Sequence, residues 1–87
     1  MSNEYRERIW LSDTAFAEFD IRQHKGGVKF SAVLVIDNKR VIGFDNHEGK
    51  PPHKHVGKRE FPYDYTTPHK LVEDFYEAIE PYLRKLK

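Results

Sequence analysis

The first half of the chain alternates apolar residues with charged or polar ones, and this alternation restricts the folds open to it. It runs through residues 5–11 and 15–23 and resumes at residues 28–36 and 41–44. A period of two places successive side chains on opposite faces of a sheet, so each segment predicts a β-strand. Short stretches containing Ser, Asp, Asn or Gly separate the segments, and these residue types favour turns. The pattern therefore predicts consecutive strands joined by hairpins.

A single amphipathic helix is predicted at the end of the chain. Thr67 supplies a hydroxyl at the N-cap, and Pro68 falls at the first helical position, where its missing N–H costs nothing. The apolar residues that follow recur at helical spacing and form one stripe: Leu71, Phe75, Ala78, Ile79, Tyr82, Leu83 and Leu86. The predicted fold is one α+β domain over residues 1–87, an antiparallel β-meander of four to five strands packed on one face by a single C-terminal α-helix.

One helix can cover only one face of this sheet, so the opposite face is expected to remain open. That face would carry Arg6, Arg8, Trp10 and Phe16. An exposed sheet face that is partly apolar usually marks a binding surface for another protein. We therefore expect a partner there, either a second copy of the chain in a homodimer or a dedicated partner protein.

Composition narrows the classes of function. With 87 residues, of which 38% are hydrophobic, the chain fits one small globular domain. It contains no cysteine, so disulfides and thiolate metal sites are excluded, and any metal would need histidine and carboxylate ligands. The net charge of +1 gives no strong overall field. Nucleic-acid binding would therefore depend on a local basic patch.

The sequence shows no signal for export or membrane insertion. Residues 1–6 lack the apolar segment of a signal peptide, and no apolar run approaches the length of a membrane-spanning helix. We expect a cytoplasmic protein with no membrane partner.

The side chains suited to acid–base or ligand chemistry concentrate in residues 44–59. Three of the five histidines lie there: His47, His53 and His55. Residues 50–59 contain no acidic residue, and four cations make them locally basic: Lys50, Lys54, Lys58 and Arg59. This stretch is the candidate anion site of the chain.

Two adjacent prolines set the conformation of the histidine motif. Pro51 and Pro52 exclude a helix, so the sequence His53-Lys54-His55 is expected to leave a stiff loop in an extended conformation. His53 and His55 would then share one face, about 6–7 Å apart at Cα, because alternate residues of an extended chain point the same way. Lys54 would face the other side.

A pair of imidazoles on one face is suited to two kinds of chemistry. Imidazole titrates near neutral pH, so such a pair can act as proton donor and acceptor across a phosphodiester. The same pair can chelate a divalent metal, with Asp45 or His47 as a third ligand. The alternative is a hydrophilic hairpin loop with no chemical role, since a His-x-His pair alone is a weak signal.

Several short motifs, in this order, resemble those of one known family. Phe44-Asp45-Asn46 is followed by Pro52-His53-Lys54-His55-Val56-Gly57, with Leu11-Ser12-Asp13 before them and Pro68-His69-Lys70-Leu71 after them. With these motifs the chain resembles the TumE family of bacterial and archaeal toxins, over nearly its whole length from Tyr5 to Leu86. Members of that family are small proteins encoded beside a helix-turn-helix antitoxin. The resemblance therefore implies a toxin whose partner is a cognate helix-turn-helix antitoxin.

The first hypothesis for activity comes from the residues themselves and is a metal-independent endoribonuclease that needs no cofactor. The candidate catalytic residues are His53, His55 and His47, because one imidazole would deprotonate a 2′-hydroxyl and another would protonate the leaving oxygen. The candidate substrate-binding residues are Lys54, Lys58, Arg59, Asp45, Asn46 and Tyr63. The cations would stabilise charge on the phosphorane, and Tyr63 would stack on an unpaired base of the RNA.

Two further hypotheses use the same residues. In the second, His47, His53, His55 and Asp45 bind a metal, either in a hydrolase or in a structural site. In the third, the chain is a non-enzymatic binding module, and His53 and His55 order the loop by hydrogen bonds to Asp45 and Asn46. Activity that is abolished by a chelator would favour the second hypothesis over the first. Cleavage of RNA by the purified protein would favour the first over the third.

Overall fold

A six-stranded antiparallel sheet and one helix make up the protein. The computed structural model describes residues 3–24, 26–46 and 51–86. The elements are β1 (Asn3–Ser12), β2 (Ala15–His24), β3 (Gly27–Ile36), β4 (Lys39–Asp45), β5 (His53–Val56), β6 (Arg59–Pro62) and α1 (Pro68–Lys85). The strands lie in the sheet in their order along the chain, each antiparallel to the next. The predicted α+β meander with one C-terminal helix is confirmed, with six strands rather than four to five.

The additional strand comes from the histidine motif. His53-Lys54-His55 was predicted to be extended as it leaves a loop, and it is a full strand that pairs with β4 on one side and β6 on the other. Gly57 makes the return to β6 possible, because its φ of 60° is a left-handed value that glycine adopts without strain. The motif is therefore held inside the sheet rather than on a loop.

The turn between β3 and β4 follows the sequence signal closely. Asp37 and Asn38 have φ values of 51° and 65°. Two consecutive positive values are the signature of the tight hairpin turn whose twist matches that of paired strands. Asn and Asp tolerate this conformation better than other residues with side chains. The Asp37-Asn38 pair thus sets the pairing of Ile36 with Lys39 at the start of β4.

The hydrophobic core lies between the sheet and α1. Alternate residues of the central strands face the helix, as the period of two predicts, and they include Phe19, Ile21 and Leu34. The helix contributes Leu71, Phe75 and Ile79, all buried. Phe75 lies at the centre, with its ring centroid 4.9 Å from that of Phe19. The predicted packing of the helical stripe on the sheet is confirmed.

The start of α1 has the predicted cap. Thr67 Oγ1 accepts a hydrogen bond from the backbone N–H of Lys70 at 3.1 Å, and Pro68 occupies the first turn. The helix continues through Pro81 to Lys85. No helix in the described part of the chain has the length and apolar character needed to cross a bilayer.

Tyr63 ties the segment after β6 to both the sheet and the helix. Its hydroxyl donates to Asp74 at 2.7 Å, and its ring packs edge-on against Phe44 with centroids 4.9 Å apart. Burial and the bond to Asp74 raise the pKa of the Tyr63 hydroxyl above its usual value. Hydrogen bonds from Tyr63 and Lys70 lower the pKa of Asp74. Tyr63 therefore belongs to the helix side of the sheet, as a neutral donor at physiological pH.

The face of the sheet away from α1 is open and mixed in character. Trp10, with 59% of its surface exposed, packs against Phe16 with ring centroids 5.0 Å apart. The Arg8 guanidinium lies over the Phe16 ring, 4.2 Å from its centroid, and also pairs with Glu18 at 3.2 Å. Towards the end of β2 this face carries charged side chains, among them Asp20 and Arg22, which pair at 3.0 Å. The candidate site lies at its β4–β5 end.

Candidate active site on the open sheet face

Strand register brings Asp45, His53 and His55 together. Phe44 is buried under the helix, so its neighbours Gly43 and Asp45 point to the open face. Asp45 pairs with His53 and Gly43 pairs with His55 across the β4–β5 ladder. Paired residues share a face, so all three polar side chains lie on the open side. His53 and His55 thus point the same way, as their spacing predicts.

The three side chains are close enough to act as one unit. His53 Nε2 lies 2.6 Å from Asp45 Oδ1, and His55 Nε2 lies 3.8 Å from Asp45 Oδ2. The two imidazole rings meet edge to face, with centroids 4.7 Å apart. One ligand atom from each residue can be chosen so that all lie within 4.8 Å of one another. We call these three residues the Asp45–His53–His55 cluster.

The backbone of the proline pair orients His53. Its Nδ1 lies 3.0 Å from the carbonyl oxygen of Pro51, and because that oxygen can only accept, Nδ1 carries the hydrogen. In the neutral ring Nε2 then presents a lone pair towards Asp45. Asp45 Oδ1 is buried, and with this neutral tautomer of His53 it has no hydrogen-bond donor among the described residues. His53 Nε2 and Asp45 Oδ1 then face each other as two acceptors. Either a second proton on the ring or a bound cation would stabilise this arrangement.

Asn46 fixes the end of β4 and thereby the position of Asp45. Its Oδ1 accepts from the backbone N–H of Phe30 at 2.9 Å, and its Nδ2 donates to the carbonyl oxygen of Val28 at 2.6 Å. The Asn46 side chain thus supplies β3 with the acceptor and the donor that the backbone of a paired strand would otherwise supply. Asn46 was predicted from the sequence to bind substrate. In the structure, both Oδ1 and Nδ2 of its side chain are hydrogen-bonded to the backbone of β3.

The other candidate substrate-binding residues lie away from the cluster. Lys54 points to the opposite face, with its Nζ 5.9 Å from the ring centroids of both Phe44 and Phe61. Lys58 lies in the turn between β5 and β6, and Arg59 begins β6; both are exposed. Tyr63 packs on the helix side. Asp45 is the member of that group that the structure places beside His53 and His55.

His47, the third candidate catalytic residue, lies outside the described residues. His69 is exposed on α1, where its Nε2 lies 3.1 Å from Glu73 Oε1.

The sequence interpretation missed Glu60, whose Oε1 lies 3.6 Å from His53 Nε2. The signal that could have found it is the pairing of a sixth strand, which places Glu60 opposite His55.

The cluster also has the composition of a metal site. Two imidazoles and one carboxylate are common ligands of zinc and related divalent ions. The bond from His53 Nδ1–H to a backbone carbonyl is the outer contact that typically orients a metal-binding histidine. The buried Asp45 Oδ1, which faces the lone pair of the neutral His53 ring, fits the same use.

Comparison with known proteins matches the chain to a protein family. The family model described as Toxin TumE matches residues 2–83 of the chain. No curated protein and no solved structure matches it.

Proposed function

We propose a reaction for this chain from one premise: it belongs to the TumE toxin family and is the toxin component of a toxin–antitoxin system. In the proposal it acts in the cytoplasm and cleaves RNA at the Asp45–His53–His55 cluster. The observation that supports this is the convergence of two imidazoles and a carboxylate on the open sheet face, within 4.8 Å. Proton donors and acceptors so placed suit transfer of a phosphodiester. The open face leaves room for an extended single strand.

The two histidines have different surroundings, which assigns them different roles in the proposal. His55 makes no hydrogen bond through its ring to any residue of the described ranges, so a ring nitrogen is free to accept a proton from a substrate. His53 is fixed by the Pro51 carbonyl and lies against Asp45. Asp45 pairs with the His53 ring when that ring carries both protons. His55 is therefore the general base and His53 the general acid.

The proposed step is an internal transfer within the RNA. His55 removes the proton from a ribose 2′-hydroxyl, and the 2′-oxygen attacks the adjacent phosphorus. The bond from phosphorus to the 5′-oxygen breaks, and His53 gives that leaving oxygen its Nε2 proton, which Asp45 holds until then. The products are a 2′,3′-cyclic phosphate and a free 5′-hydroxyl. At the end His55 is protonated and His53 is neutral, and water restores both states.

A second candidate function is supported by the ligand geometry of the same cluster. Asp45, His53 and His55 would hold a divalent cation, and the chain would be a metal-dependent hydrolase. When bound, the metal would activate a water molecule or polarise a phosphoryl oxygen. In that case His53 and His55 would bind the metal and would not transfer protons. The two candidates predict opposite effects of chelation.

The test uses purified protein, dialysed against EDTA, and an oligoribonucleotide. The proposal predicts that cleavage persists without metal, that the product ends in a 2′,3′-cyclic phosphate, and that a single 2′-deoxy substitution at the cut site blocks it. Cleavage lost on chelation and restored by Zn²⁺ or Mn²⁺ would favour the metal-dependent hydrolase. RNA left intact under all conditions would contradict both and leave a non-enzymatic binding module.

Membership of the family implies an antitoxin partner. The proposal places that antitoxin, a helix-turn-helix protein, on the open face, because Trp10 and Phe16 offer an exposed aromatic surface there. An antitoxin bound over this face would also cover the cluster and so exclude RNA. Pairing of two copies of the chain through the same surface is the alternative arrangement.

A further inference from the structure

A β-bulge in β4 turns Arg40 onto the open face. Leu34 pairs with Ile42, but the next residue, Val35, pairs with Arg40, so Val41 is an extra residue in the strand. Arg40 lies three positions before Gly43, so in a regular strand it would face the helix, on the side opposite to Gly43. With the bulge, Arg40 and Gly43 lie on the same side. Bulges redirect side chains in this way, and they are frequent next to active sites.

Gly43 provides the space in which the Arg40 side chain lies. A Cβ at position 43 would stand 3.1 Å from Arg40 Cδ and 3.5 Å from Nε, and the three nearest atoms all belong to Arg40. The backbone at Gly43 does not itself need glycine, since its φ is not among the positive values. Glycine inside a strand is destabilising and often marks the close approach of another group. Here that group is Arg40.

The Arg40 guanidinium has no acidic partner within the described residues. The other arginines on the open face are each paired with a carboxylate: Arg6 with Asp20 at 3.9 Å, Arg8 with Glu18 at 3.2 Å and Arg22 with Asp20 at 3.0 Å. Arg40 lies instead across Gly43, whose strand partner is His55. Its positive charge is therefore available beside the histidine that we propose as the base.

From this placement we propose that Arg40 binds the phosphate group of the RNA strand at the Asp45–His53–His55 cluster. The inference rests on the proposed function and adds the anion-binding residue that it lacks, because Lys54 points to the other face. A guanidinium binds phosphate oxygens through two parallel N–H bonds, which fixes the orientation of the group as well as its charge. Arg40 is thereby a positioning residue for the phosphodiester above His55.

The test compares Arg40→Ala with Arg84→Ala as a matched control. Arg84 is an exposed arginine that pairs with Glu80 on α1, the helix that covers the other face of the sheet. The probes are inorganic phosphate and a single-stranded oligoribonucleotide with 2′-O-methyl groups, which cannot be cleaved. Arg40→Ala is expected to bind both about 10–100-fold more weakly than the unmodified protein. A plot of the logarithm of the oligonucleotide binding constant against the logarithm of the salt concentration should also become less steep, by about 0.7. Arg84→Ala should change neither.

Gly43→Ala tests the same idea without removing the charge. The added methyl should displace Arg40 and weaken phosphate binding in the unmodified background, while it should change little further in Arg40→Ala. If Gly43→Ala acts equally in both backgrounds, or if Arg40→Ala binds like Arg84→Ala, the inference is wrong even where RNA cleavage is real. Phosphate binding that depends on Arg40, with no cleavage of RNA, would instead overturn the proposed function alone. Failure of the unmodified protein to bind either probe would contradict both.

Discussion

Replacing Phe75 by alanine is expected to reduce the free energy of unfolding by about 3–5 kcal/mol. Phe75 is fully buried, and its ring lies edge-on to Phe19 and Phe44 with centroids 4.9 Å and 6.1 Å away. Truncation loses the transfer energy of the ring and leaves a cavity that a sheet and a single helix cannot close. A domain of this size has roughly 5–15 kcal/mol in total. The loss would therefore be a large share of its stability.

Urea unfolding of Phe75→Ala and Glu77→Ala measures this effect. Glu77 is exposed on the same helix two residues away, so its replacement tests the loss of a helical side chain without loss of core. The midpoint should fall strongly for Phe75→Ala and stay nearly constant for Glu77→Ala. Equal midpoints for Phe75→Ala and the unmodified protein would show that α1 does not cover the sheet in solution.

Loss of either cluster histidine is expected to slow RNA cleavage by about 10²–10⁴-fold. His55→Ala removes the ring that is free to accept the 2′-hydroxyl proton, and His53→Ala removes the proposed acid together with its contact to Asp45. Replacement of Lys54 should matter less, since its side chain points to the other face. The measurement is the initial rate of cleavage at saturating oligoribonucleotide.

Two controls separate chemistry from folding in this experiment. His69→Ala removes an exposed imidazole on α1 and should cleave RNA like the unmodified protein. His53→Asn retains an N–H near the position of Nδ1 and can keep the bond to the Pro51 carbonyl, so its strand should remain ordered while the acid is lost. If His53→Asn cleaves at the full rate, His53 orders the strand and transfers no proton.

The main architecture could be predicted because it is governed by local patterns. Alternation of apolar residues assigns the faces of β1 to β3, and the Asp37-Asn38 pair specifies a hairpin turn. The cap at Thr67 and the apolar stripe that includes Phe75 locate the helix. The shared face of His53 and His55 follows from spacing alone.

The rest depends on pairings that spacing does not encode. Residues Arg59–Pro62 are all exposed, so β6 has no buried face that would indicate its register against β5. Asn46 bonds to Val28 and Phe30, which are 18 and 16 residues away, and a sequence does not show such a contact. The bulge at Val41 reverses the side on which Arg40 lies, so an alternating pattern assigns that residue to the wrong face. Details of the site thus come from register and side-chain contacts between strands.

The most direct test of the account is growth inhibition by the double variant His53→Ala, His55→Ala, expressed without antitoxin. Circular dichroism and the thermal unfolding midpoint of the purified variant establish that it is folded. A folded double variant is expected no longer to inhibit growth, while His69→Ala should inhibit it fully. Full toxicity in the folded double variant would contradict the account and would move the functional surface to the open face around Arg8 and Trp10.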